Sequence, residues 1–148
     1  MKTIEIRNTS GEVIWSHSQE DNTFKKTIEI AISNDISLKK ADFKNCFFKN
    51  VDFSGSDLSH SDLTNCCFSQ CDLRAADLCN CIAIEAFFES CKMQYVTALY
   101  SDFTLTMFGN CDLYGATFGN SCLIFSDFIG SKIDRIRVEG AKLAGSKW

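Results

Sequence analysis

From Leu38 onward a large apolar residue returns at every fifth position, and no insertion breaks the count before Trp148. Of the 23 positions in this register 21 are large, the exceptions being Ala83 and Ala98. Two residues before each stands a small one, such as Ala41, Cys46, Ser61 or Ala76, with only Ile36 and Ile136 larger. A period of five matches neither the 3.6 of an amphipathic helix nor the 2.0 of a half-buried strand, so the chain must turn a corner every five residues. Asp stands immediately before the large residue nine times, and Asn and Gly favour the position two after it, where a tight turn tolerates them. No proline occurs in 148 residues, which leaves a backbone hydrogen-bond pattern free to run unbroken.

Registers such as Ala41-Asp42-Phe43, Ser56-Asp57-Leu58, Ser61-Asp62-Leu63, Ala76-Asp77-Leu78 and Ser126-Asp127-Phe128 resemble the A(D/N)LXX signature of the pentapeptide-repeat family. The resemblance implies an all-β solenoid, a right-handed quadrilateral β-helix in which four pentapeptides make one square coil and the large and small residues both point inward. Large and small side chains must alternate to fill so narrow an interior at native density. At four registers per coil, residues 36–148 make between five and six coils, a stack about 25 to 30 Å long at the usual strand spacing.

Residues 1–35 lie outside the repeat. They read as a β-hairpin, Lys2 to Arg7 and Glu12 to Ser16 about Asn8-Thr9-Ser10-Gly11, followed by a short helix capped by Asn22 or Thr23. Phe24, Ile28, Ala31 and Ile32 form one apolar helical face, which is expected to cover the open first coil. The repeat runs on into Ser146-Lys147-Trp148, and no matching lid is expected over that coil. The resemblance implies a homodimer through the C-terminal coils, with Val138, Leu143 and Trp148 at the dimer end. Residues 128–148 carry Lys132, Arg135, Arg137, Lys142 and Lys147 against Asp134 and Glu139, which is also how sheet edges are blunted.

The N-terminal residues lack the apolar stretch of a secretory signal and no run is long enough to span a membrane, so a cytoplasmic protein is expected. The nine cysteines then read as reduced thiols. Six of them (Cys46, Cys66, Cys71, Cys81, Cys91, Cys111) occupy the inward small position. Cys71, Cys91 and Cys111 should stack on one face, within reach of disulfide formation under oxidising conditions. The Cys66-Cys67 and Cys79-Asn80-Cys81 clusters lack a histidine pair to complete a metal site.

Two isolated histidines, His17 and His60, and the absence of a glycine-rich phosphate cradle point away from catalysis; neither a cofactor nor a metal is expected. What remains is surface. Folded at 20 residues per coil, the sequence places Asp42, Asp62 and Asp102 on one face, Asp52, Asp72 and Asp112 on a second, and Asp57 and Asp77 on a third. Residues 36–127 hold eleven acidic against six basic residues, so the rod is negative and direct nucleic-acid binding is not expected. The resemblance gives these columns a meaning: some family members imitate duplex DNA and occupy the DNA site of type II topoisomerases. The chain then reads as a non-catalytic protein-binding rod, a DNA mimic directed at a DNA-handling enzyme.

The alternative is an interaction scaffold for a host or phage factor. The fourth face is apolar where the others are acidic, with Phe47, Cys67, Phe87 and Met107 pointing out, widened by Leu105 and Phe125 at the corner and by Ile82 and Ile84 alongside. Such a stripe is either a partner site or is covered by the N-terminal segment. The coil 81–100 is the least regular, and Ala83 and Ala98 there imply a cavity, a bulge, or inward turning of Ile82 or Leu99. Tyr95 and Tyr100 stand at its corners.

Overall fold

The computed structural model describes residues 1–148. The hairpin pairs β1 (Lys2–Arg7) antiparallel with β2 (Val13–Gln19), helix α1 spans Phe24–Ser33, and everything from Leu38 on winds as a right-handed quadrilateral β-helix. The residue before the large one pairs in parallel with its counterpart 20 positions later, as in Asp42 with Asp62 and Asp57 with Asp77.

The corners explain the period. Every residue two after the large one, from Lys40 to Gly145, has a positive φ, between 51° at Asn110 and 82° at Gly130. That left-handed conformation strains most side chains and suits Asn and Gly, which is why those residues recur there. At most corners the carbonyl of the large residue accepts the N–H three residues on, as Phe43 O does from Cys46 N at 3.0 Å. The corners after Phe48, Phe68, Phe88 and Phe108 lack this bond, as do those after Leu78 and Ala98, where the N–H of Cys81 and of Ser101 donates instead to the hydroxyl of Ser101 and of Ser121. On the face of Phe48, Phe68, Phe88 and Phe108 three residues per coil stay extended, giving β3 (Phe47–Lys49), β4 (Cys67–Ser69), β5 (Phe87–Glu89) and β6 (Met107–Gly109) in one parallel sheet.

Inside, the large residues stack coil on coil. Phe68, Phe88, Phe108, Phe128 and Trp148 lie face to face, with ring centroids 4.4 to 5.2 Å apart and planes within 8°. Neighbouring faces meet edge-on, as between Phe103 and Phe118 at 5.3 Å. The small inward residues carry a second function. Ser61, Ser101, Ser121, Ser131 and Thr106 each donate from the hydroxyl to the carbonyl 23 residues earlier, at 2.6 to 3.1 Å. The carbonyls of Leu38 and Ala83 already accept a corner N–H and engage their second lone pair in this way, whereas those of Leu78, Ala98 and Phe108 accept the hydroxyl in place of a corner N–H; in both cases the buried hydroxyl is satisfied and the cost of burying it is offset.

Coil 81–100 keeps the five-residue frame and its inter-coil hydrogen bonds, so there is no bulge. Nor does Ile82 turn inward: it is exposed, and Leu99 is half-buried. Met93, fully buried in the same coil, is a flexible filler well suited to an interior with two alanines in place of larger residues.

At the N-terminal end Thr23 is the helix cap, its Oγ1 accepting from Lys26 N at 3.2 Å. Asn22 is buried and joins the two elements instead: its Nδ2 donates to His17 O at 2.7 Å and Lys2 O at 3.3 Å, and its Oδ1 accepts from Thr27. Strand β2 begins one residue later than the sequence suggests and runs on to Gln19. Asn8 Oδ1 takes the N–H of both Ser10 and Glu12, which holds Glu12 in the turn. Ile28 and Ala31 are fully buried and the Phe24 ring lies 5.9 Å from Phe48, so α1 closes the first coil. The hairpin extends that coil at one face, where Arg7 O accepts from Asp42 N and Thr9 N donates to Lys40 O. No helix is long and apolar enough to cross a membrane.

Candidate binding surfaces

All nine aspartates before a large residue do the same thing. Each accepts, on Oδ1, the backbone N–H two residues later, from Lys44 N to Asp42 at 3.3 Å through Ile129 N to Asp127 at 2.9 Å. This is the short side-chain-to-backbone turn that Asp favours, and it gives the residue a structural reason to be there. The columns are also broken. Lys92 stands between Asp72 and Asp112, Lys132 follows Asp112, and Ile82 separates Asp62 from Asp102. Asp57 and Asp77 are succeeded by Thr97, Thr117 and Arg137. Lys44 bridges Asp42 and Asp62 at 3.5 and 3.8 Å, and Asp72 lies between Arg74 at 2.6 Å and Lys92 at 3.9 Å. The Arg74 guanidinium bonded to Asp72 holds that carboxyl below its usual range.

The apolar face is different. Phe47 is 63% exposed and Met107 50%, Cys67 and Phe87 are half-buried between them, and α1 lies over the end of the rod rather than on this face. At the adjoining corner Leu105 and Phe125, the latter 61% exposed, hold positive φ angles of 59° and 57°. Branched and aromatic side chains are costly there, by about 1 kcal/mol each, and nothing in the corner requires them. The Phe125 ring lies over Gly145, where a Cβ would collide with it. Ile82 is exposed and Ile84 half-buried on the preceding face. Ile129, 60% exposed, adds apolar surface beside Met107 just beyond the sheet, in line with Lys49, Glu89 and Gly109, and was missed from the sequence. It occupies the position after the large residue, and folding that column at 20 per coil as well would have exposed it. A shallow hollow of about 240 Å³ opens here between Met107, Phe108, Gly109, Asp127 and Ile129.

At the far end Val138 is half-buried, Leu143 is exposed, and Trp148 is 44% exposed, one ring face on Phe128 at 4.4 Å and the other open. The N–H groups of Ile133, Val138, Leu143 and Trp148 have no partner within the chain. Tyr95 sits over Gly115 and edge-on to Tyr114, whose ring also faces Arg135. Tyr100 is exposed at the next corner.

A profile of the pentapeptide repeat region matches residues 41–118. The chain belongs to the pentapeptide-repeat family. Its fold is similar to that of a pentapeptide repeat protein, Rfr23, from the cyanobacterium Cyanothece 51142: TM-score 0.73 at 15% identity, covering 83% of this chain and 99% of that one. A pentapeptide repeat protein of the Arabidopsis thaliana thylakoid lumen gives a TM-score of 0.46 at 17% identity, covering 66% of this chain and 63% of that one. QnrB1, a plasmid-mediated fluoroquinolone resistance protein, gives 0.39 at 24% identity, covering 71% and 64%. No curated protein sequence matches this chain significantly.

In this pentapeptide-repeat protein all nine cysteines are free thiols. Those facing inward act like the serines: Cys66 donates to Phe43 O at 2.7 Å and Cys81 to Leu58 O at 3.0 Å. Cys71, Cys91 and Cys111 likewise point at the carbonyls of Phe48, Phe68 and Phe88. Burial pushes the Cys66 thiol up from its ordinary value and Cys81 up to about 12. An unfolded chain would lose these protons near 9.0 while the folded one keeps them, so their contribution to stability is complete below that pH and is lost as pH rises towards 12. The urea midpoint is therefore expected to hold from neutral pH to about 8.5 and to fall beyond it, less steeply in the Cys66→Ser/Cys81→Ser variant. An identical fall in that variant would assign the effect to other groups.

Proposed function

We propose that this protein is a non-catalytic protein-binding rod whose working surface is the apolar face formed by β3–β6. The observation that carries this reading is the apolar run of exposed Phe47, half-buried Phe87 and exposed Met107 on the only face with a regular sheet. Contiguous apolar area of this kind commonly marks interaction sites, and a preorganised rod loses little conformational freedom when it binds. The cytoplasm is the compartment that would keep its nine thiols reduced.

Imitation of duplex DNA for a topoisomerase or another DNA-handling enzyme has weaker support. It asks for regular negative columns, whereas here lysines interrupt them and each aspartate is engaged with its own backbone. Dimerisation through the last coil has the open N–H groups in its favour and a surplus of basic residues against it, since stacking two such coils sets like charges together.

The two binding readings separate with one bait. The immobilised full chain, its Phe47→Asp/Phe87→Asp variant and its Asp52→Asn/Asp72→Asn/Asp112→Asn variant are presented to a cell extract at low and high salt. Partner recovery is expected to drop at least tenfold with the first variant only and to be little affected by salt. Loss with the asparagine variant and with salt, together with inhibition of gyrase supercoiling by the wild type, would favour the DNA mimic.

A further inference from the structure

We propose that the occupant of the β3–β6 face is a second copy of this chain, with the two rods antiparallel about a twofold axis that runs along the strand direction between β4 and β5. The inference rests on the reading of that face as the binding surface.

Two columns of side chains point out from the sheet: an apolar one through Phe47, Phe87 and Met107, and a polar one through Lys49 and Glu89 that ends at Gly109. A twofold axis along the rod would lay the apolar column of one copy on the polar column of the other. An axis along the strands keeps apolar on apolar. Placed between β4 and β5 it engages all four strands, with Phe47 opposite Met107 of the partner subunit and Cys67 opposite Phe87 of the partner subunit. Moving the axis onto β5 would set Phe47 against Asp127 of the partner subunit, a worse match.

The charges favour the same register. Lys49 and Glu89 are absent from every ion pair of the chain, although both lie on this face. Glu89 does not stand straight out from β5. It leans along the rod over Gly109, where a Cβ would collide with its carboxylate, and it accepts from Asn110 Nδ2 at 3.0 Å. Its negative charge is thus held above β6, the strand that the axis brings against β3 and Lys49 of the other copy. Two symmetry-related Lys49–Glu89 pairs would lie along one side of the apolar stripe, towards its two ends. The hollow of about 240 Å³ beside Met107 and Gly109 lies where the partner subunit's Phe47 ring would enter. Four strands about 4.8 Å apart and three residues long give a patch of roughly 19 by 10 Å, small beside the ~800 Å² per partner of stable complexes, so the dimer should be concentration-dependent.

Sedimentation velocity of the full chain from about 1 to about 500 μM is the test. The expected result is a mass rising with concentration from 16.6 kDa towards twice that value. Phe87→Asp should weaken association at least tenfold and Lys49→Glu or Glu89→Lys several-fold, while Lys49→Glu combined with Glu89→Lys restores it. The Lys49 substitution is on an exposed side chain and keeps the test valid if Phe87→Asp disturbs folding. A monomer at every concentration overturns the inference and leaves the capture of other proteins by this face as the separate question posed above. A dimer indifferent to all these substitutions also overturns it and assigns association to the open last coil.

Discussion

Replacing Phe88 with alanine is expected to lower the stability of the rod by about 3 to 5 kcal/mol. Phe88 is fully buried and stacks between Phe68 at 4.9 Å and Phe108 at 5.2 Å, with planes within 7° of both. Its loss removes two ring contacts and opens a void at mid-rod, where the same coil already has Ala83 and Ala98 in place of large residues. Neighbouring backbone cannot collapse into the space, because hydrogen bonds to the coils on either side hold it in place. In a solenoid each coil contacts only its neighbours, so the weakened junction should also divide unfolding into two steps. Denaturation followed by near-ultraviolet and far-ultraviolet signals checks both: a single transition shifted by less than about 1 kcal/mol would mean that the stack relaxes around the gap.

Ile28→Asp should be the second most damaging change, by about 4 kcal/mol locally, through a charge placed in an apolar contact. Ile28 is fully buried on the inner face of α1, as is Ala31, and α1 is what covers the aromatic mouth of the first coil at Phe43 and Phe48. The expected outcome is release of the lid with the coils still wound. Hydrogen exchange would quicken in residues 2–33 and the first coil while later coils stay protected, and the exposed mouth would promote aggregation. Thr23→Ala, which removes only the cap hydrogen bond, should cost about 1 kcal/mol and leave the lid closed. Uniformly faster exchange along the rod in Ile28→Asp would show that lid and coils unfold as one unit.

Much of this was legible because the repeat is a local rule applied many times. The inward Phe and Leu, the Asp before them and the Asn or Gly at the corner each report one backbone requirement, and 23 repetitions leave no competing period. The lid helix was legible for the same reason, from the spacing of Phe24, Ile28 and Ala31. The surfaces were harder. The acidic columns read as a pattern because Asp recurs, yet the recurrence is the turn bond from Asp Oδ1 to the N–H two residues on, and the lysines lodged between the aspartates belong to different coils. Asn22 read as an alternative cap and instead ties hairpin to helix, through atoms that only the packed pair brings within reach.

The sequence by itself determined the square coil, its inward residues and its corners, since these depend on interactions within five residues and on a repeat that compounds them. Only the tertiary structure decided which outward residues meet and where the lid lies. It left Phe47 and Met107 uncovered, leaned Glu89 over Gly109, and set Lys92 beside Asp72. Those relations join side chains about 20 residues apart or on separate elements, and they depend on how one coil settles on the next.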